Sequence, residues 1–121
     1  MHVVLVAEDE PVILMAIVDH LTEEGFEVLE ARHAEEALAI LAIRSADVHL
    51  LFTDVQMPGD LDGIALSHHV SEHWPWIGLL VTSAYLAPQG KGLPTGCRFL
   101  HKPYNRSDVV LHIRELIKAA R

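Results

Sequence analysis

Val48-His49-Leu50-Leu51-Phe52-Thr53 is a short, almost unbroken apolar run, and the residue that follows it is Asp54. A run of this length without strict alternation is the pattern of a strand covered on both faces. Three more segments share the design. Met1 to Ala7 runs into Glu8 and Asp9, Ile77 to Val81 into Thr82, and Cys97 to His101 into Lys102-Pro103. Strand ends in a wound α/β sheet converge on one edge, so acids, a hydroxyl and an amine far apart in sequence meet there in one pocket.

The segments between these runs have helical period. Pro11 opens a series with Ile13, Leu14, Ile17, Val18 and Leu21 on one side, and Gly25 closes it. Phe26 to Glu30 reads as the second strand. Ala34 to Arg44 reads as the second helix, buried through Ala37, Leu38, Ile40 and Leu41. After the Pro58-Gly59 turn a third helix is expected from Asp62 or Gly63 to Trp74. A closing helix from Ser107 to Ala120 carries Val109, Val110, Ile113, Leu116 and Ile117 on one stripe. Strict β-α alternation with buried strands implies a parallel sheet with helices on both faces. The segment from Thr82 to Cys97 breaks the pattern, because Pro88, Gly90, Gly92, Pro94 and Gly96 oppose a regular helix. Glycine costs about 1 kcal/mol and proline about 3 in a helix interior, so the fourth helix is expected to be irregular or one turn long.

Composition sets the class. The 121 residues, half of them hydrophobic, suit one domain spanning 1–121 with one sizeable core. With 17 acids against 9 Lys and Arg the net charge is −8, which excludes direct nucleic-acid binding, since phosphate contact needs a clustered basic surface. Cys97 is the sole cysteine, so no intrachain disulfide forms. No cleavable leader and no run long enough to span a membrane is present, and the chain is expected to be cytoplasmic.

Three carboxylates at neighbouring strand ends repel one another, an arrangement that suits a hard divalent cation with oxygen ligands, Mg²⁺ above all. Glu8, Asp9 and Asp54 are the expected ligands, joined by the backbone carbonyl of Gln56. Lys102 adds a mobile positive charge, and Thr82 a hydroxyl that can donate to an oxyanion. Such a set fits a phosphoryl group, with a carboxylate as the accepting nucleophile.

These residues resemble a known family. Glu8-Asp9, Asp54-Val55-Gln56-Met57-Pro58 with Gly63 shortly after, Thr82, and Lys102-Pro103 look like the receiver domain of two-component response regulators, here of the stand-alone type. The resemblance covers essentially the whole chain. It implies a flavodoxin-like sheet of order 2-1-3-4-5. It implies Asp54 as phosphoacceptor, Glu8 and Asp9 as the acidic pair, Thr82 as switch hydroxyl, Lys102 as phosphate-sensing amine, a cis bond before Pro103, and Phe99 as the rotating aromatic. The implied partners are a sensor histidine kinase or phosphotransfer protein as donor and an unknown downstream protein as target, with homodimerisation left open. The domain would promote its own phosphorylation and dephosphorylation and turn over no independent substrate. Three departures stand out: Glu8 where many members have Asp, the added Asp60-Leu61, and the Pro/Gly-rich tract, which puts an output face built on a fourth helix in question.

Other readings compete at several positions. Glu10, directly before Pro11, reads as a helix-start acid and not as a metal ligand. Ser83 is the rival to Thr82, turned to the other side by strand alternation. His69 and His73 are spaced i, i+4 beside His68, but two ligands make a weak metal site and a solvated face is the simpler account. Trp74-Pro75-Trp76 reads as a helix stop with apolar packing. For the whole chain the alternatives are a Mg²⁺-dependent aspartyl-phosphate phosphohydrolase and a constitutive interaction module. The first lacks an acid two residues beyond the nucleophile, where Gln56 stands, and the intact pocket residues argue against the second.

Overall fold

The computed structural model describes residues 1–85 and 92–119. The elements, in order, are β1 (Val3–Ala7), α1 (Pro11–Glu23), β2 (Glu27–Ala31), α2 (Ala34–Arg44), β3 (Leu50–Asp54), α3 (Gly63–His73), β4 (Gly78–Ser83), β5 (Arg98–His101) and α4 (Arg106–Ala119). All strand pairs are parallel and the sheet order is β2-β1-β3-β4-β5, as the sequence implies.

Alternation along each strand divides the interior into two cores. Val3, Leu5 and Ala7 pack with Ala37, Leu41, Leu66 and Val70 from α2 and α3. Val4, Val6 and Phe52 pack on the opposite face with Ile17, Leu21, Val109 and Ile113 from α1 and α4. The helices are therefore shared between both faces, and β1 and β3 are buried along their entire length. That explains why those two read as continuous apolar runs and did not alternate.

Local chemistry sets the boundaries. α1 starts on Pro11, whose missing N–H would have had no intrahelical partner. It ends at Gly25, whose φ of 98° lets the N–H of Phe26 reach the Leu21 carbonyl at 3.1 Å. Asp62 caps α3 by accepting from the Ala65 N–H at 2.8 Å. His33 does the same for α2, its Nδ1 accepting from the Glu36 N–H at 3.1 Å. Trp74 terminates α3 before Pro75 and lies against the α2/α3 core, as expected of a stop with apolar packing.

Several ends differ from expectation by a residue or two. β4 continues through Thr82 and Ser83, so both hydroxyls sit inside the ladder and not beyond it. β3 includes Asp54, which pairs in register with Thr82. α4 starts at Arg106, one residue early, with Asn105 accepting from the Ser107 N–H at 2.9 Å. Between β4 and β5, residues 92–97 form bends and a turn. The expected short or irregular fourth helix falls largely on residues 86–91, which lie outside the described residues.

Candidate functional site

Asp54 ends the central strand and is 5% exposed. Its main chain is held from two sides. The Thr53 hydroxyl donates to the Asp54 carbonyl at 2.9 Å, and Gly63 at the start of α3 lies so close that an added Cβ would stand 2.0 Å from that same oxygen. Only glycine allows this approach, and the 2.9 Å bond from the Gly63 N–H to the Val55 carbonyl locks it. The nucleophile candidate is thus fixed by backbone packing before any side-chain contact is counted.

Around its carboxylate the structure gathers the expected groups. Lys102 Nζ donates to Asp54 Oδ2 at 2.6 Å and stands 3.4 Å from Glu8 Oε1. Carboxylate oxygens of Glu8, Asp9 and Asp54 all lie within 4.8 Å of one another. Glu8 and Asp54 are buried and Asp9 is exposed, so the cluster opens to solvent on the Asp9 side. The second Glu8 oxygen accepts the Glu10 N–H at 3.0 Å. Glu10 itself is the residue flanking α1 and takes no place in the cluster. The Lys102–Pro103 peptide bond is cis.

The electrostatics follow from this crowding. Burial above all, then the neighbouring Asp54 charge, raises the Glu8 carboxyl above its ordinary range, against the opposing Glu10 N–H bond and the Lys102 charge. For Lys102, burial works to lower its pKa, but the bond to Asp54 and the charges of Asp54 and Glu8 outweigh it and the net shift is upward. Three acids facing one ammonium leave an excess of negative charge in a partly dry site. All the ligand atoms are hard oxygens, one edge is open, and the excess charge is what a small divalent cation would neutralise; the residues fit Mg²⁺.

Thr82 is 2% exposed and sits beside Asp54, but its hydroxyl donates to the Leu100 carbonyl at 2.6 Å. In this arrangement it is committed to β5 and not to the carboxylate. Phe99 stands outside the pocket, half-buried on β5 in register with Val81. Gln56 lines an open cleft of about 390 Å³ with Asp9, Met57 and Asp62, and its N–H donates to Asp54 Oδ1 at 3.2 Å.

Two features of the site went unread in the sequence. Tyr104, directly after Lys102-Pro103, lines a cavity of about 10 Å³ with Glu8, Asp54 and Thr82, its ring edge-on to Phe52 at 5.8 Å. Burial pushes its phenol up to about 12. The second is the contact of Ser83, whose hydroxyl donates to Gln56 Oε1 at 2.9 Å. Strand alternation had pointed Ser83 away from Thr82, but not at a partner.

The histidines divide. His69 and His73 stack at 4.1 Å with an interplanar angle of 15°, and His73 Nδ1 meets the His69 carbonyl at 2.9 Å. His68 is not on a purely solvated face: its Nε2 is 3.1 Å from the Gly92 carbonyl, tying α3 to the segment before β5. The Cys97 thiol is half-buried and pushed up to about 12 by that burial, which leaves it protonated and unreactive.

Comparison with known proteins agrees with this geometry. The family model "response regulator receiver domain" matches residues 4–114. The sensor kinase CckA of Brucella abortus is 30% identical over 118 residues, 95% of this chain. The chain spans 12% of that kinase's length. A crystal structure of the receiver domain of the hybrid histidine kinase CckA superposes with a TM-score of 0.83 at 30% identity, covering 95% of this chain and 98% of that one. A response regulator receiver protein from Sinorhizobium medicae reaches a TM-score of 0.91 at 21% identity over 99% and 97% of the two chains, which speaks for the fold.

Proposed function

The chain belongs to the response regulator receiver domain family, a signalling module of two-component systems, and from that premise we propose that Asp54 accepts a phosphoryl group from a sensor histidine kinase or phosphotransfer protein. The observation that carries this reading is the 2.6 Å contact between Lys102 Nζ and a buried Asp54 carboxylate whose backbone is pinned by Gly63. An oxygen of Asp54 attacks phosphorus while the bond from phosphorus to the donor's nitrogen breaks, and that nitrogen leaves with a proton. Lys102, already poised at the carboxylate, pairs with the new negative charge.

Glu8, Asp9 and Asp54, with the Gln56 carbonyl, are the groups that would hold Mg²⁺; when bound, the ion supplies positive charge against the oxygens of the transferring group. Thr82 would exchange its bond to Leu100 for one to the phosphoryl group, releasing β5, where Phe99 would be the side chain that turns. A downstream protein would read the altered surface. With no acid at Gln56 to protonate a leaving group, the site fits a switch and not a phosphohydrolase turning over a separate substrate.

Phosphoramidate, a small phosphodonor, tests the reaction: one phosphoryl group should be gained with Mg²⁺ and essentially none with a chelator. The ion site is tested separately. Asp9→Ala should weaken Mg²⁺ binding in a calorimetric titration at least about tenfold, a loss of about 1.4 kcal/mol, while Glu10→Ala should leave it within about twofold. Equal losses would reject the assignment of Asp9 to the ion and Glu10 to the helix start.

A further inference from the structure

Two neighbouring hydroxyls on β4 lead out of the pocket in opposite directions. Thr82 Oγ1 reaches across to the Leu100 carbonyl on β5. Ser83, equally buried at 2% exposure, turns to the loop after β3. Its proton goes to Gln56 Oε1 at 2.9 Å, and its oxygen accepts the Tyr85 N–H at 3.1 Å. The Gln56 N–H in turn donates to Asp54 Oδ1 at 3.2 Å. Asp54, Gln56, Ser83 and Tyr85 are therefore joined by three successive hydrogen bonds, none of which uses Thr82.

We propose that Ser83 is a positioning residue that, through the Gln56 side chain, ties the backbone at Tyr85 to the state of Asp54, as a second route out of the pocket beside that of Thr82. The inference rests on Asp54 being the phosphoacceptor. Its physical basis is a change in one acceptor. The Gln56 N–H donates to the Asp54 carboxylate, and bonds to a charged acceptor are about twice as strong as neutral ones. Once an Asp54 oxygen carries phosphorus, the carboxyl group loses its charge and the negative charge lies on the phosphoryl oxygens. The Gln56 backbone then has a weaker partner in one place and a stronger attraction in another, the differential interaction that a population shift requires.

Movement of Gln56 displaces Oε1 from Ser83. A buried hydroxyl whose only acceptor among the described residues withdraws must turn to another, and the Tyr85 N–H that depends on its oxygen follows. Tyr85 is 68% exposed just after β4, so its placement is available to a partner protein.

The test uses the ¹⁵N-labelled chain with beryllofluoride and Mg²⁺, read as the shift of the Tyr85 and Leu100 amides between free and saturated protein. Ser83→Ala should cut the Tyr85 change at least about twofold while leaving that of Leu100. Gln56→Ala is the sharper variant, because it keeps the bond from Tyr85 to Ser83 and removes only the link to the loop, and it should cut the Tyr85 change as much. Thr82→Ala should do the reverse. A Tyr85 response unchanged in both Ser83→Ala and Gln56→Ala, or lost in Thr82→Ala, overturns the proposal while Lys102 still reports bound probe. If no pocket amide of the unaltered chain responds, the phosphoacceptor reading fails and takes this proposal with it.

Discussion

Gly63→Ala should destabilise the protein by about 3 kcal/mol or more, the upper end of what overpacking costs. The added Cβ would stand 2.0 Å from the Asp54 carbonyl oxygen, 2.7 Å from its carbon and 2.9 Å from the Val55 Cα. All three are backbone atoms of the central strand and its exit, so no side chain can rotate away to make room. Relief requires α3 to lift off β3, which breaks the Gly63 to Val55 bond and withdraws Leu66 and Val70 from the α2/α3 core. Gly25→Ala is the control. Its φ of 98° is unfavourable for alanine but nothing lies within 4 Å, so about 1 kcal/mol is expected. Denaturant melts of the two variants should differ by about 2 kcal/mol. Equal losses would mean that the close approach to Asp54 is not what Gly63 provides.

Lys102→Ala should cost about 3 kcal/mol at neutral pH, because it strands the buried carboxylates of Glu8 and Asp54 without their cation. The pH dependence follows from the direction of each shift. The Lys102 pKa is raised in the folded state, so its contribution is present below its ordinary value of 10.5 and is lost only as pH rises through the higher folded value. The Glu8 pKa is also raised. Its contribution is full below 4.5 and is lost as pH rises through the elevated folded value, above which the ionised Glu8 weighs against folding. Without the ammonium that burden grows. The deficit of Lys102→Ala should therefore be largest where Glu8 is ionised, shrink on acidification toward the ordinary value of 4.5 as Glu8 takes up its proton, and be partly offset by Mg²⁺, which stabilises only the folded site. Thermal melts across that range with and without Mg²⁺ check all three points. A deficit that grows toward acid would contradict the account.

Most of the frame could be read from the chain because its strands are buried on both faces and end in polar residues. Val48 to Thr53 announced both a central strand and the acid it delivers, and β3 carries that acid in its last position. Boundaries were less legible where the ladder continues into polar residues. Thr82 and Ser83 carry no apolar signal, yet the register with Asp54 and His101 keeps them in β4. The site divides in the same way. Glu8, Asp9, Asp54 and Lys102 could be assembled from strand ends alone, since topology brings such ends together whatever lies between them. Gly63 was read as part of a motif and as a candidate helix start, and its closeness to the Asp54 carbonyl is a matter of how α3 packs, which no spacing reveals. Gln56 was read for its backbone carbonyl, whereas its side chain bonds Ser83, a contact between residues 27 positions apart that depends on the path of the loop after β3. For Tyr104 a signal was available: it is an aromatic immediately after Lys102-Pro103, and it packs partly buried against the α1/α4 core.

The central claim is that Asp54 is the group that accepts phosphate. Its most direct test is to treat the chain with phosphoramidate and Mg²⁺, quench, digest, and locate the added phosphoryl group by mass spectrometry beside an Asp54→Asn variant handled identically. The account predicts a single base-labile phosphoryl group on the peptide containing Asp54, and none in the variant, whose amide keeps the shape of the carboxylate but not its nucleophilic charge. Labelling that persists undiminished in Asp54→Asn, or that maps to a histidine or to Asp9 in the unaltered chain, would contradict it.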